Sequence, residues 1–237
     1  DIHPETLTID PNLIEENNTK NTKAIIVVHQ FGHAAHMDEI MVLAEKYELK
    51  IIEDNAESIG ARYKGKLLGT FGDVSTYSFF GNKIITTGEG GALLTNNEET
   101  AIKSREFRDH GMSHKKKYHH VDLGYNYRMT NMQAAIGLAQ MEKLDEILAL
   151  RKKQMDIYYN ELSHIEGISL RKYEDWQVGE IVDYKYYDIE NNRARQTVVA
   201  NDLGRRAQNA ARKRRSSNPT PSEETIEIGE GPIWGQE

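Results

Sequence analysis

The sequence predicts an α/β fold with a mixed, mostly parallel sheet covered by helices. Two short apolar runs, AIIVV from Ala24 and KIIED from Lys50, flank the amphipathic stretch MDEIMVLAEKYE. A strand, a helix and a second strand in this order predict a parallel pair with a right-handed crossover. Two further apolar runs, VSTYSF from Val74 and GALLT from Gly91, extend the predicted sheet.

A long helical region is predicted after the sheet. Thr130 and Gln133 have the spacing of a capping box, in which each side chain bonds the backbone of the other residue. We expect the helical region to run to about Ser163. Apolar residues recur within it at helical spacing, at Met132, Ile136, Ala139, Leu144, Ile147 and Leu148.

The character of the sequence changes near residue 177. Residues 178–200 alternate in polarity like a two-stranded β unit, and residues 203–215 are basic and rich in alanine. Residues rich in Ser, Pro, Glu and Gly follow, and this composition predicts disorder. The predicted organisation is a partial large domain with its long helix over 1–177, an unassigned β and basic segment over 178–215, and a disordered tail over 216–237.

Composition limits the class of protein. The formal net charge of -7 argues against a surface built as a whole for nucleic acid or anionic membrane. The absence of cysteine excludes disulfides, thiolate zinc sites and cysteine nucleophiles. No apolar run approaches the ~20 residues of a membrane span, and we expect a cytoplasmic location. Because the sequence begins at Asp1 rather than Met, we also expect it to be a fragment.

Two charged residues stand where α/β folds place ligands. Asp54 directly follows the strand KIIE, so its carboxylate is expected at the carboxyl end of the sheet. Lys83 lies between VSTYSFF and the Gly-rich turn TTGEGG, and its primary amine can condense with an aldehyde. Taken alone, Asp54 could equally be a turn residue or helix cap, and Lys83 a solvated loop lysine.

The segments IIEDNAESIGARYKGKLLGTFGDVSTYSFFGNKIITTGEGGALLT and DLGYNYRMTNMQAAIGLAQ together resemble the DegT/DnrJ/EryC1/StrS family of pyridoxal 5'-phosphate (PLP) dependent sugar aminotransferases. Within the family they are most similar to the perosamine synthases. The resemblance covers residues 1–177 and implies the large domain of an aspartate-aminotransferase-like fold. That domain is incomplete, because the family's first segment and its C-terminal small domain have no counterpart in the sequence.

The resemblance implies a role for each candidate residue around a PLP cofactor. Lys83 would form the Schiff base and would later carry a proton between the substrate carbon and the cofactor. Asp54 would pair with the pyridine nitrogen, Glu57 would lie beside the ring, and Ser78 would hydrogen-bond the phosphate. For Glu57 and Ser78, an ordinary helix-start carboxylate and a strand-end serine are the alternatives.

The resemblance also implies a homodimer with shared active sites. Asn126 would reach the cofactor, and Arg128 the cofactor or the substrate, from a second subunit; otherwise the two are surface or capping groups. The implied reaction moves an amino group from glutamate to a nucleotide-linked keto-deoxysugar. GDP-4-keto-6-deoxymannose is the preferred acceptor, which would yield GDP-perosamine for O-antigen or another cell-surface polysaccharide.

Other classes of site are weaker. The turn TTGEGG is not a G-x-G-x-x-G signature, which disfavours a nicotinamide-dependent dehydrogenase. No metal is expected, because the clustered histidines fit the family's loop after the first strand and no thiolate is present. The histidines of that loop are His29, His33 and His36, and a separate adjacent pair is His119 and His120.

Two alternatives to the enzyme remain open. One is a non-catalytic remnant that keeps the α/β core but binds no PLP. The other is a nucleic-acid-binding tail, in which basic side chains contact phosphates, although a solvated basic arm is the simpler interpretation. The basic residues are Arg205, Arg206, Arg212, Lys213, Arg214 and Arg215.

Overall fold

The computed structural model describes residues 1–168, residue 170, and the backbone of residues 187–188 and 193–194. The strands are β1 (Ala24–Val28), β2 (Lys50–Asp54), β3 (Arg62–Tyr63), β4 (Lys66–Leu67), β5 (Val74–Ser78), β6 (Gly91–Leu94), β7 (Tyr187–Asp188) and β8 (Arg193–Ala194). The helices are α1 (Ile14–Asn17), α2 (Met37–Lys46), α3 (Glu98–Arg108), α4 (Asn131–Met141) and α5 (Leu144–Leu162). Short 3-10 helices lie at Pro11–Leu13 and Gln30–Gly32.

The central sheet has the strand order β1-β2-β5-β6. The first three strands pair in parallel, and β6 pairs antiparallel with β5. Helix α2 makes the predicted crossover between β1 and β2. The prediction of a mixed, mostly parallel sheet is therefore confirmed, and β3 and β4 form a separate two-stranded hairpin.

The hydrophobic core lies between one face of the sheet and α2. Alternate residues of a strand point to opposite faces, so Val27 is fully buried while the exposed fraction of Ile26 is 61%. Helix α2 contributes three of the residues that pack against this face, and the loops contribute three alanines. Core members include Val27, Ile51, Ala34, Ala35, Met37, Ile40, Ala44, Ala61, Tyr63 and Leu68.

The predicted helical region forms two helices rather than one. The capping box at its start is confirmed, since Thr130 and Gln133 bond each other's backbone groups. Lys143 adopts φ -111° and ψ 12°, outside the helical range, and this separates α4 from α5. Helix α5 ends at Leu162, close to the predicted end.

Most of the C-terminal sequence lies outside the described residues. This holds for the predicted boundary near residue 177, the basic residues within 205–215 and the predicted tail 216–237. In the two short stretches that are described, β7 and β8 pair antiparallel. No helix in the described part of the chain is long and apolar enough to cross a membrane, and the cytoplasmic location stays a prediction.

Candidate active site

Two of the predicted site residues lie at one edge of the sheet, and a third, Lys83, follows five residues after the second of them. Asp54 is the last residue of β2 and Ser78 the last residue of the neighbouring parallel strand β5. The carboxyl ends of parallel strands form the usual ligand site of α/β folds. Lys83 follows in a turn in which its N–H donates to the Phe80 carbonyl at 3.0 Å.

The amine of Lys83 is paired with the carboxylate of Glu57. Lys83 Nζ lies 3.4 Å from Glu57 Oε1, and the exposed fractions of the two side chains are 16% and 17%. The other oxygen of Glu57 accepts the N–H of Phe31 at 3.0 Å. Phe31 is buried and has a positive φ of 58°. Glu57 thus joins the loop after β1 to the lysine.

Asp54 and Ser78 make only local side-chain hydrogen bonds in the described part of the chain. Asp54 Oδ1 accepts the N–H of Ala56 at 3.0 Å, which is the turn contact expected of a strand-end aspartate. Ser78 Oγ accepts the N–H of Phe80 at 3.3 Å. These contacts use acceptor sites, so the second oxygen of Asp54 and the hydroxyl hydrogen of Ser78 can serve a ligand.

The fully buried carboxylate of Glu53, the residue before Asp54 on β2, bonds the segment that leads into β5. Its Oε1 accepts the N–H groups of Phe71 and Gly72 at 2.7 and 2.6 Å, and its Oε2 accepts the N–H of Gly69 at 2.7 Å. Burial alone would raise the pKa of the Glu53 carboxyl, but hydrogen bonds from His29 and the Gly72 and Gly69 amides outweigh it. The net effect is a pKa below the usual value.

His29 is the side-chain partner of Glu53 and is also fully buried. Its Nε2 lies 3.2 Å from Glu53 Oε2, and its Nδ1 accepts the N–H of Ala35 at 3.2 Å. The second contact places the ring hydrogen on Nε2, which donates to the carboxylate. The pair therefore fixes the loop that presents Phe31 to Glu57.

Among the described residues, no group of three or more acidic or histidine side chains is arranged to hold a metal.

Helix α4 holds the lysine loop, which we define as residues 79–90. The loop is closed by bonds from Thr87 N–H to the Phe79 carbonyl and from Phe79 N–H to the Gly90 carbonyl, both 2.9 Å. Gln140 bonds both backbone groups of Thr86. Sequence reasoning missed this contact, although Gln133 and Gln140 are two helical turns apart and therefore lie on one face.

In the described part of the chain, Asn126 and Arg128 bond to each other and to Asp109 rather than to the other candidate residues. Both are exposed, and Arg128 contacts Asn126 Oδ1 at 3.4 Å and Asp109 Oδ1 at 3.3 Å. No hydrogen bond or ion pair in the described part of the chain joins either of them to the Lys83 and Glu57 pair. Their predicted action from a second subunit stays a prediction.

Comparisons with known proteins show which family the chain resembles. The sequence model of the DegT/DnrJ/EryC1/StrS aminotransferase family matches residues 1–208, beyond the predicted limit at residue 177. The chain is 47% identical over 165 residues to GDP-perosamine synthase of Caulobacter vibrioides, covering 70% of this chain and 44% of that protein. It is 46% identical over 161 residues to GDP-perosamine synthase of Escherichia coli O157:H7, covering 68% and 44%.

A solved structure extends the likeness to the fold. E. coli GDP-4-keto-6-deoxy-D-mannose-3-dehydratase with bound hydrated PLP aligns with a TM-score of 0.72 and 27% identity, over 89% of this chain and 57% of that one. The predicted cofactor, PLP, is confirmed for the family, since that structure contains PLP and a relative from Bacillus subtilis, 40% identical over 174 residues, is named a putative pyridoxal phosphate-dependent aminotransferase. The chain spans less than half the length of the two curated relatives.

Proposed function

Since the chain belongs to the DegT/DnrJ/EryC1/StrS aminotransferase family, we propose that it forms the lysine-bearing part of a PLP-dependent sugar aminotransferase. The reaction moves an amino group from an amino acid, glutamate, to the keto carbon of a nucleotide-linked deoxysugar. The observation that carries this proposal is the mostly buried Lys83 and Glu57 pair. It lies beside the sheet edge that also carries Asp54 and Ser78.

The donor set of this edge suits PLP. The carboxylate of Asp54 is half-buried and suits a pyridinium nitrogen, whose proton it would hold in place. The hydroxyl of Ser78 has a hydrogen to donate to a phosphate oxygen. When bound, PLP supplies an aldehyde that condenses with primary amines and a ring that withdraws electrons from the reacting carbon. The amine at this edge is that of Lys83.

Lys83 has two tasks in this proposal. Its amine would hold the cofactor before the donor binds, and its side chain is largely buried, with an exposed fraction of 16%. With the cofactor bound, the free amine of Lys83 would be the group that takes the proton from the substrate carbon and returns it. Glu57 orients that nitrogen through the 3.4 Å contact.

For the substrate we favour GDP-4-keto-6-deoxymannose, with GDP-perosamine as the product. Two curated perosamine synthases at 47% and 46% identity support this choice. Lys83 supplies the primary amine that amino transfer with PLP requires. The product would then serve O-antigen or another cell-surface polysaccharide.

We also propose that two copies of the complete protein share their active sites. Asn126 and Arg128 are exposed on a segment that leads into α4. Helix α4 itself exposes apolar side chains, with exposed fractions of 78% for Met132 and 62% for Leu138. An apolar face of this kind suits a second copy that brings its own Asn126 to the cofactor phosphate.

The first test is the visible absorption spectrum of the purified chain with added PLP, followed by borohydride trapping and peptide mass mapping. The expected result is a band that is trapped on Lys83 and is absent in Lys83→Ala. Glutamate and GDP-4-keto-6-deoxymannose are then added, and formation of the amino sugar is followed by mass spectrometry. A folded chain that forms no adduct would contradict the proposal and favour a non-catalytic remnant.

A further inference from the structure

The side-chain amide of Gln140 forms hydrogen bonds with both backbone groups of Thr86 in the lysine loop. Gln140 Oε1 accepts the N–H of Thr86 at 3.1 Å, and Gln140 Nε2 donates to the Thr86 carbonyl at 2.5 Å. The two residues are 54 positions apart in the chain. A planar amide that both accepts and donates in this way imitates a strand partner, so it fixes the orientation as well as the distance of Thr86.

The contact lies on one narrow face of α4. Only Gln133, Gly137 and Gln140 of this helix are half-buried, and the other α4 residues are exposed. Gln133 Nε2 donates to the Glu89 carbonyl at 3.2 Å. A Cβ on Gly137 would lie 2.9 Å from Thr87 Cγ2, so glycine allows the close approach. The spacing of these residues matches successive turns of the helix. The face that α4 turns to the rest of the described residues is therefore the face that holds the lysine loop.

The constraint on Thr86 reaches Lys83 through a short, anchored segment. Thr86 Oγ1 donates to the Phe79 carbonyl at 3.0 Å, which ties Thr86 to the residue that follows β5. Ile85, the residue before Thr86, is buried, with an exposed fraction of 2%. Lys83 is three residues from Thr86 and is bonded through its own N–H to Phe80. Little freedom is left between the contact with α4 and the backbone of Lys83.

We propose that Gln140 is a positioning residue for Lys83, acting through Thr86 to hold the amine at Glu57. An apolar side chain at this position would leave the Thr86 N–H and carbonyl without these partners in a half-buried site. The inference deepens the proposed function, on which it rests for the role of the amine. The positioning itself does not depend on PLP and can be measured without it.

The test compares Gln140→Met and Gln140→Glu with the unchanged chain. The readout is the rate at which an amine-specific reagent modifies Lys83 without PLP, followed by peptide mass mapping. Methionine matches the length of glutamine but makes neither hydrogen bond. We expect the rate at Lys83 to rise by up to a few-fold, because the loss of two hydrogen bonds at Thr86 leaves the amine at Glu57 for less of the time. Lys152, which is exposed on α5, serves as the internal reference.

Gln140→Glu adds a readout that a purely structural role would not move. The carboxylate can accept from Thr86 but cannot donate to its carbonyl, whereas a protonated carboxyl can do both. We therefore expect the ratio of the Lys83 rate in Gln140→Glu to the rate in the unchanged chain to return toward one as the pH falls through about 4.3, the usual glutamate pKa. Gln154→Met and Gln154→Glu on the exposed part of α5 are the matched controls, and both should leave Lys83 unchanged.

Two outcomes would overturn the proposal. One is an unchanged Lys83 rate in a folded Gln140→Met chain whose Thr86 amide exchanges faster with solvent. The other, which needs no variant, is a Thr86 amide that exchanges as fast as an exposed loop amide in the unchanged chain. If PLP forms no adduct but Gln140 variants still alter the Lys83 rate, the proposed function fails while the positioning role stands.

Discussion

Lys83 and Glu57 are 26 residues apart in the chain, and their side chains meet with Nζ 3.4 Å from Oε1. Glu57 is also bonded to the Phe31 N–H, so its carboxylate is held from a second side. A fixed acceptor at this distance keeps the flexible lysine side chain at the sheet edge. The pair is the point at which the loop after β1, the segment after β2 and the lysine loop converge.

The first prediction concerns the charge of Glu57. Glu57→Gln keeps the size of the side chain but removes the charge that attracts the ammonium group of Lys83, so the amine should leave its place more often. We expect a rise of a few-fold in the rate of Lys83 modification at neutral pH, consistent with the loss of a partly buried ion pair of about 1 kcal/mol. Peptide mass mapping of the labelled chain measures it.

Glu39→Gln on the first turn of α2 is a control that removes the same charge away from the site. It should leave the Lys83 rate unchanged. Equal rates in Glu57→Gln and the unchanged chain would show that the ion pair does not hold the amine.

The second prediction concerns acid sensitivity. The folded-state pKa of Glu53 lies below its usual value, and the usual value, about 4.3, describes the unfolded chain. The stability that Glu53 contributes is therefore complete above about pH 4.3 and is lost as the pH falls through the folded-state pKa. Glu53→Gln should flatten this acid dependence, because an amide does not titrate in this range.

Glu53→Gln should also lower the free energy of unfolding near neutral pH by about 3 kcal/mol, since the amide group turns a donor toward backbone N–H donors. Urea unfolding at a series of pH values measures both effects. Glu45→Gln, an exposed change on α2, should retain the acid dependence of the unchanged chain. A Glu53→Gln chain with the same acid dependence would show that another group causes it.

The third prediction concerns the start of α4. Thr130→Ala removes the hydroxyl that accepts the Gln133 N–H, and loss of such a cap should cost about 1 kcal/mol. Thr130→Ser keeps the hydroxyl and should retain most of that stability. Thermal unfolding followed by circular dichroism distinguishes the two. Equal stability of both variants would mean that the helix start is held by other contacts.

The sequence predicts the sheet well because the signals for strands and for the capping box are local. The placement of Asp54 and Ser78 at one edge then follows from parallel pairing alone. Glu53 escaped prediction because three of its four partners are backbone N–H groups, which carry no residue signature. Gln140 escaped because its partner is 54 residues away, and an amide on a helix is usually a surface group. The separation of α4 from α5 depends on the conformation of Lys143, which no glycine or proline marks.

The last prediction concerns the loop that carries Asn126. Gly111 has φ +67°, and a Cβ there would lie 1.8 Å from the Asp122 carbonyl oxygen. Gly65 has φ +82°, but a Cβ there would have no atom within 4 Å, so Gly65→Ala meets only the backbone cost of about 1 kcal/mol. Gly111→Ala adds a clash with backbone, which cannot move aside as a side chain does.

Gly111→Ala should therefore destabilise the chain by clearly more than Gly65→Ala, by about 1–3 kcal/mol beyond it. The antiparallel backbone pairing of Asp109 with Asn126 should be lost, because the close contact between Gly111 and Asp122 lies within the segment that this pairing closes. Limited proteolysis should then cut the segment 109–126 faster, while the Lys83 rate stays unchanged. Equal cleavage in both alanine variants would mean that the close approach of Gly111 does not hold this loop, and that Asn126 is presented by other contacts.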